Sequence, residues 1–292
     1  PARRLEEALE IYSLVRRPPA RERRCRILDK LGSSKKAIDV CTEIERDPLD
    51  EQERVFAPRF ARRILRRQGL LGPEPRHRRR RRRMHVQGQT GDAVDQAVIT
   101  ALADQGVSSL HAENWLWLSL FGLAFWDIIF APVPGAFEQP FQAGPLDLRG
   151  PGFRRRRSHQ IETRLAEIRQ GLWNKSRLLK RFDEKRGLRN RFLSWSEGSR
   201  SSLQLVLDHL GPQAMADVCD RLSRDPGRYR RGLPDLFVVR PETETGFELY
   251  EVKAPGDQLR PEQGAWLDYL NAAGIPSTIL RVQWTQRSKA LC

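Results

Sequence analysis

Two carboxylates and one ammonium stand at a spacing suited to metal-assisted hydrolysis. Asp235 follows Pro234, Glu251 lies sixteen positions further on, and Lys253 follows two residues later. If the intervening chain folds as a hairpin turning near residue 243, Asp235 and Glu251 lie eight residues either side of the turn. Pairing then brings them together at one end of a sheet. Side chains alternate along a strand, so Glu251 and Lys253 face the same way. Carboxylate oxygens suit the hard cations Mg²⁺ and Mn²⁺, which also take phosphate oxygens from a substrate. Such an ion polarises a phosphoryl oxygen and lowers the pKa of a bound water. Lys253 is then placed to orient or help activate that water and to offset charge on the transition state. The competing reading is a surface salt bridge between neighbouring strands, which contributes little. The apolar Leu236, Val238 and Val252 beside the three charges argue for a buried cluster.

These residues need a sheet to hold them. Leu233–Val239 reads as one strand, Pro241–Gly246 as a turn and Phe247–Lys253 as a second strand. Pro255-Gly256-Asp257 breaks the pattern. A helix follows, with Pro261 in its first turn and Trp266, Leu267 and Leu270 on its buried side. Ile275–Trp284 supplies a third strand. This β-β-α-β order predicts an α/β or α+β core whose mixed central sheet is flanked by helices.

Upstream, residues 1–72 read as helices. Ala8, Leu9, Ile11 and Tyr12 echo Ala37, Ile38, Val40 and Cys41, and Gly32 suits the position just past a helix end. Helix–turn–helix units of about this length suggest a tetratricopeptide-like region. Residues 73–84 hold Gly72-Pro73-Glu74-Pro75 at their border, then arginines Arg76 and Arg78–Arg83, and read as an exposed linker or loop. Residues 85–292 form the remaining domain. A second run, Arg154–Arg157, stands before a helix with Ile161, Leu165, Ile168 and Leu172 on one face. Each run is either a phosphate-contacting strip or a solvated charge run. Trp115–Trp126 is the most apolar stretch and is too short to cross a bilayer. It reads as a buried helix, its aromatic pairs Trp115/Trp117 and Phe125/Trp126 being core or, alternatively, surfaces for unpaired bases.

The 292 residues carry 52 Lys+Arg against 37 Asp+Glu, a formal net charge of +15. A pI near 10.5 is the footprint of a polyanion binder, and Arg pairs bidentately with phosphate. Four dispersed cysteines (Cys25, Cys41, Cys219 and Cys292) lack zinc-ribbon spacing and give no disulfide framework. A reducing compartment is expected, the bacterial cytoplasm or nucleoid, or a eukaryotic nucleus. No P-loop, dinucleotide glycine fingerprint or H-E-x-x-H is present.

The P-D…E-V-K pattern resembles the PD-(D/E)XK nuclease superfamily. The stretch Arg231-Gly-Leu-Pro-Asp-Leu236 through Glu251-Val-Lys-Ala-Pro-Gly-Asp-Gln-Leu-Arg-Pro-Glu-Gln263 resembles its VRR-Nuc branch. His111-Ala-Glu-Asn-Trp115, Phe121-Gly-Leu123 and Trp126-Asp-Ile-Ile-Phe130 resemble the Fanconi-associated nuclease family. The resemblance implies a structure-specific nuclease acting on 5′-flap or branched DNA, with 5′–3′ exonuclease activity and a role in interstrand-crosslink repair. It implies metal ligation by Glu113, Asp235, Glu251 and the Val252 carbonyl, with Lys253 catalytic and Gln263 and His111 supporting. Without it, Glu113 is simply an acid beside a helix N-terminus. The family's basic neighbour of Gln263 is here Glu262, so Arg230 and Arg231 are taken as substitute phosphate contacts. They join Arg78, Arg79, Arg80, Arg81, Arg154, Arg155, Arg156 and Arg157 as expected DNA-binding residues. The expected partner is DNA, the chain acting as a monomer away from membranes. A noncatalytic branched-DNA scaffold and a Holliday-junction resolvase of the same superfamily are the alternatives.

Overall fold

The computed structural model describes residues 2–15, 17–49, 51–72, 79–89, 91–113, 115–148, 150 and 152–285. The chain divides into two compact units, Pro1–His77 and Arg78–Cys292. The first is helical: α1 (Ala2–Leu14), α2 (Ala20–Lys30), α3 (Ser34–Arg46) and α4 (Glu51–Arg67). Its core joins Cys25, Leu28, Ala37, Val40, Cys41, Ile44, Ala57, Phe60 and Ile64. Gly32 adopts φ 78° two residues past the end of α2. There the Ser33 N–H donates to the Leu28 carbonyl at 2.9 Å, so a carbonyl the helix leaves open is satisfied.

The second unit runs β1 (Arg81–Gln87), α5 (Val94–Ala103) and β2 (Ser109–His111), followed by a helical insertion. The insertion holds α6 (Trp115–Ala124), α7 (Trp126–Ile129), α8 (Gly152–Arg156), α9 (Ser158–Arg169), α10 (Lys175–Lys185), α11 (Ser199–Leu207), α12 (Pro212–Arg224) and α13 (Pro226–Tyr229). The chain then returns through β3 (Leu236–Val239), β4 (Phe247–Lys253), α14 (Pro261–Ala272) and β5 (Ser277–Thr285). The sheet is mixed, in the order β1-β5-β4-β3-β2. β5 is parallel to both β1 and β4, and β3 is antiparallel to β4 and β2.

Every residue of β3 and β4 is buried, because both faces of the sheet are covered. Phe237, Val239, Phe247 and Leu249 join the core of the insertion and α14. Leu236, Val238, Tyr250 and Val252 pack with Val98 and Leu102 of α5. The alternation of the strands therefore shows as two separate cores.

Several expectations need correction. The boundary placed at residues 84/85 falls inside β1, so the second half of the arginine run is strand rather than linker. Arg81–Arg83 pair with Ile279–Arg281, and β1 is an edge strand whose outward side chains stay in water, which lets arginine occupy it. β3 starts at Leu236, not Leu233, because Gly232 (φ 82°) and Pro234 turn the chain first. The apolar run is two helices, α6 and α7, divided at Phe125. Leu172 lies beyond α9 and is half exposed, off the apolar face assigned to it.

Candidate active site

The hairpin register sets Leu236 opposite Tyr250, so the next pair outward brings Asp235 beside Glu251. The Asp235 Oδ2 accepts the Val252 backbone N–H at 2.7 Å, fixing that carboxylate across the strands. Two residues on, Lys253 Nζ donates to Glu251 Oε1 at 2.5 Å. Glu251 is fully buried, and Asp235 and Lys253 nearly so. The three charges thus form one cluster at the C-terminal end of β4, as their spacing suggested.

The H-x-E segment reaches the same place by its backbone. β2 pairs with β3, and the N–H groups of Ala112 and Glu113 both donate to the Asp235 carbonyl, at 2.7 and 3.2 Å. Glu113 is thereby clipped beside Asp235, and the Trp115 indole N–H on the His111 carbonyl at 2.8 Å braces the turn. His111 itself is exposed. Its Nδ1 lies 3.8 Å from Asp95 Oδ2 on α5.

Asp95 is the residue that sequence reasoning missed. Burial raises its carboxyl pKa, and the negative charge of Glu113 adds to the rise. Asp235 is pushed up to about 8, chiefly by burial and then by the charges of Glu251 and Asp95. Burial also drives Glu251 upward, against the pull of Lys253. The acids of the cluster are thus buried together with less positive charge than they require. Glu251 Oε2 is buried without a hydrogen-bond partner, and an orphaned anionic oxygen is expensive to bury.

That orphaned oxygen and the raised carboxyls fit a hard divalent cation in donor chemistry. The described side chains do not, however, stand as a preassembled group of three metal-ligating residues. Glu251 Oε1 is engaged by Lys253 and Asp235 Oδ2 by the Val252 N–H, so binding a cation requires small side-chain rearrangements. The Val252 carbonyl is on β4 between Glu251 and Lys253.

Gln263 is buried, and its Oε1 accepts the Arg260 backbone N–H at 2.9 Å, closing the first turn of α14. It supports the helix start. That helix start in turn abuts the P-D segment: a Cβ on Gly232 would lie 2.8 Å from the Gln263 backbone nitrogen.

The arginines separate into two groups. Arg157, expected on phosphate, is buried, with its guanidinium on Asp147 (2.7 Å) and the Ile128 carbonyl (3.0 Å). Arg156 joins the same Asp147. Arg154 bonds Asp220, Ser223 and Glu162. These three are internal ties, and within that run only Arg155 is exposed without an acidic partner among the described residues. Arg79 makes a bidentate pair with Asp268 of α14, at 2.7 and 2.8 Å. Arg80 and Arg81 are exposed, and Arg78 lies outside the described residues. Arg230 and Arg231, also exposed, line a cavity of about 490 Å³ with Arg191 and Arg228, just before the P-D turn. Trp117 and Phe125 are buried core rather than base-stacking surfaces.

Residues 171–284 match the VRR-NUC domain family, a range that takes in Asp235, Glu251 and Lys253. The chain carries a VRR-NUC domain. Its relatives are Fanconi-associated nucleases. It is 34% identical over 192 residues to the Fanconi-associated nuclease 1 homolog of Pseudomonas aeruginosa, covering 66% of this chain and 34% of that protein. The Arabidopsis thaliana homolog is 34% identical over 182 residues, 61% of this chain and 20% of that protein. A crystal structure of paFAN1 bound to 2-nucleotide 5′-flap DNA with a gap superimposes with a TM-score of 0.77 at 30% identity. That match covers 97% of this chain and 52% of the other. The chain thus spans about half of the crystallised protein and a fifth to a third of the curated relatives. Among the described residues no helix is long and apolar enough to cross a membrane.

Proposed function

We propose that this VRR-NUC chain is the catalytic part of a structure-specific DNA nuclease that hydrolyses phosphodiester bonds near 5′-flap or branched junctions. The observation that carries the reading is the buried Asp235–Glu251–Lys253 cluster with its unpartnered Glu251 oxygen. Support comes from relatives that are Fanconi-associated nucleases and from the likeness to a protein crystallised on 5′-flap DNA. Mg²⁺ or Mn²⁺ would be held by Glu113, Asp235, Glu251 and the Val252 carbonyl. When bound, such an ion acidifies water and polarises a phosphoryl oxygen.

The protein groups have their own tasks. Lys253, released from Glu251 when that carboxylate takes another partner, orients the attacking water and offsets charge on the phosphorane-like transition state. The Val252 N–H keeps Asp235 aimed across the strands. Asp95 holds His111 beside Glu113, positioning the H-x-E turn. Arg80, Arg81, Arg155, Arg230 and Arg231 contact backbone phosphate, which sets register and affinity rather than sequence preference. In this reading the chain acts as a monomer in the nucleoid or nucleus, in repair of crosslinked DNA.

Incubation with labelled 5′-flap, 3′-flap, four-way and blunt DNA in Mn²⁺ or Mg²⁺ tests the proposal. Preferred cutting of the 5′-flap substrate is expected. A noncatalytic scaffold would bind branched DNA and leave every substrate whole. Paired symmetric cuts confined to the four-way junction would replace the proposal with a resolvase.

A further inference from the structure

Between α7 and the 3₁₀ turn at Leu146–Leu148 the chain makes a loop, residues 130–145. It is tightly built. The Leu146 N–H closes its base on the Ala136 carbonyl at 2.9 Å, and the Arg191 N–H ties it down on the Ala143 carbonyl at 2.7 Å. Gln142 Oε1 accepts the backbone N–H groups of Glu138 and Gln139. Below, Asp147 is fastened by Arg156 and Arg157. Phe137 packs inward, stacked on Phe130 at 6.0 Å between centroids. Phe141, four residues on, does the opposite: it is 87% exposed.

A single exposed apolar side chain is ordinary. This one sits in a loop whose backbone is pinned on both flanks. The loop that carries it borders the arginine-lined cavity. The loop is bonded to Arg191 two residues after Phe141, and Gly144 packs on both Arg191 and Leu148. Arg191, Leu148, Arg228, Arg230 and Arg231 line that cavity. The acid among its lining residues, Asp225, is occupied with the Arg228 backbone N–H at 3.0 Å. The cavity is thus lined by four arginines and is of a size ordinary for small-ligand sites. Its far wall leads in four residues to Asp235.

An aromatic ring in water on a loop that borders an arginine-lined cavity is the pairing that holds single-stranded nucleic acid, with charge for the backbone and a π-face for the base. We propose that Phe141 is the stacking platform for one unpaired nucleobase, whose phosphate lies in the arginine-lined cavity. This rests on the nuclease reading above and names how the unpaired strand is gripped. Since every base has a π-face, the contact selects unpaired over paired DNA without selecting sequence.

The test is a binding titration of the chain in EDTA with 5′-flap DNA. 2-Aminopurine, and separately an abasic site, are walked through the unpaired strand. At one position 2-aminopurine fluorescence should be quenched by the wild type and by Phe141→Trp, but not by Phe141→Ala. Phe141→Ala should bind about five-fold or more weakly, from the loss of one base–aromatic stack, with unchanged melting temperature. The abasic site at that position should weaken the wild type by the same factor and Phe141→Ala no further. Equal quenching and affinity for wild type and Phe141→Ala at every position, or additive effects of the two changes, overturns the inference. Wild type that binds and cuts flap DNA while Phe141→Ala matches it sinks this inference alone. Wild type that neither binds nor cuts sinks the nuclease reading with it.

Discussion

Asp235→Asn should stabilise the metal-free chain at alkaline pH, although it removes a residue on which catalysis depends. The Asp235 carboxyl is pushed from 3.8 to about 8, first by burial and then by Glu251 and Asp95. The unfolded chain loses this proton near 3.8, so between the two values the folded state binds more protons. Stability is therefore full below about pH 4 and is lost as pH rises through about 8. At about 1.4 kcal/mol per pH unit the rise corresponds to an upper limit of roughly 6 kcal/mol. Part of that belongs to the repulsion between Asp235 and Glu251, and asparagine can still accept the Val252 N–H, so we expect roughly 2–3 kcal/mol at pH 8. For a domain of this size that is about 4–12 °C in melting temperature. Differential scanning calorimetry in EDTA at pH 5 to 8.5 reads it directly. Wild type should melt progressively lower with rising pH, and Asp235→Asn should flatten the slope. Adding Mg²⁺ should raise the wild type and leave the variant unmoved. A wild-type melting temperature independent of pH over this range, or a variant less stable at pH 8, would refute the reasoning.

Arg157→Met should lower stability by about 3 kcal/mol, because it leaves the Asp147 carboxylate short of its buried partner. Thermal melting checks this, and the salt dependence of DNA affinity should not change. Gly232→Ala forces φ 82° on a residue with a Cβ placed 2.8 Å from the α14 backbone. It should lower melting temperature and depress cleavage more than DNA affinity, because the P-D turn moves. Replacing exposed Arg80, Arg81 and Arg83 with Gln should make DNA affinity less salt-sensitive. The slope of log K against log salt should fall by up to about 3. Asp95→Asn should reduce turnover with little change in KM, a split read from steady-state kinetics on flap DNA, whereas a merely structural role would lower melting temperature instead.

The chemistry was legible where it depended on local period. Asp235, Glu251 and Lys253 could be brought together because a hairpin and a two-residue alternation are properties of contiguous chain. Asp95 could not be found that way. It sits on a helix with no motif around it, and only the pairing of β2 with β3 brings α5 to the cluster. The arginine runs misled for a related reason. A row of like charges announces repulsion and solvent, but Asp147 and Asp220, which internalise Arg157 and Arg154, come from other segments. β1 was hidden because an edge strand tolerates arginines on its water-facing side. The order β3-β4-α14-β5 and its mixed sheet were readable from turn residues and apolar runs. The long helical insertion within the sheet was readable only as helices.

The central claim is that the buried P-D…E-V-K cluster cuts DNA. Single-turnover cleavage of a labelled 5′-flap duplex in Mn²⁺, comparing wild type with Lys253→Met, tests it most directly. The account predicts cleavage by wild type and a loss of at least about 10³-fold in the variant, with flap-DNA affinity within a few-fold. Cleavage by Lys253→Met at the wild-type rate would contradict it.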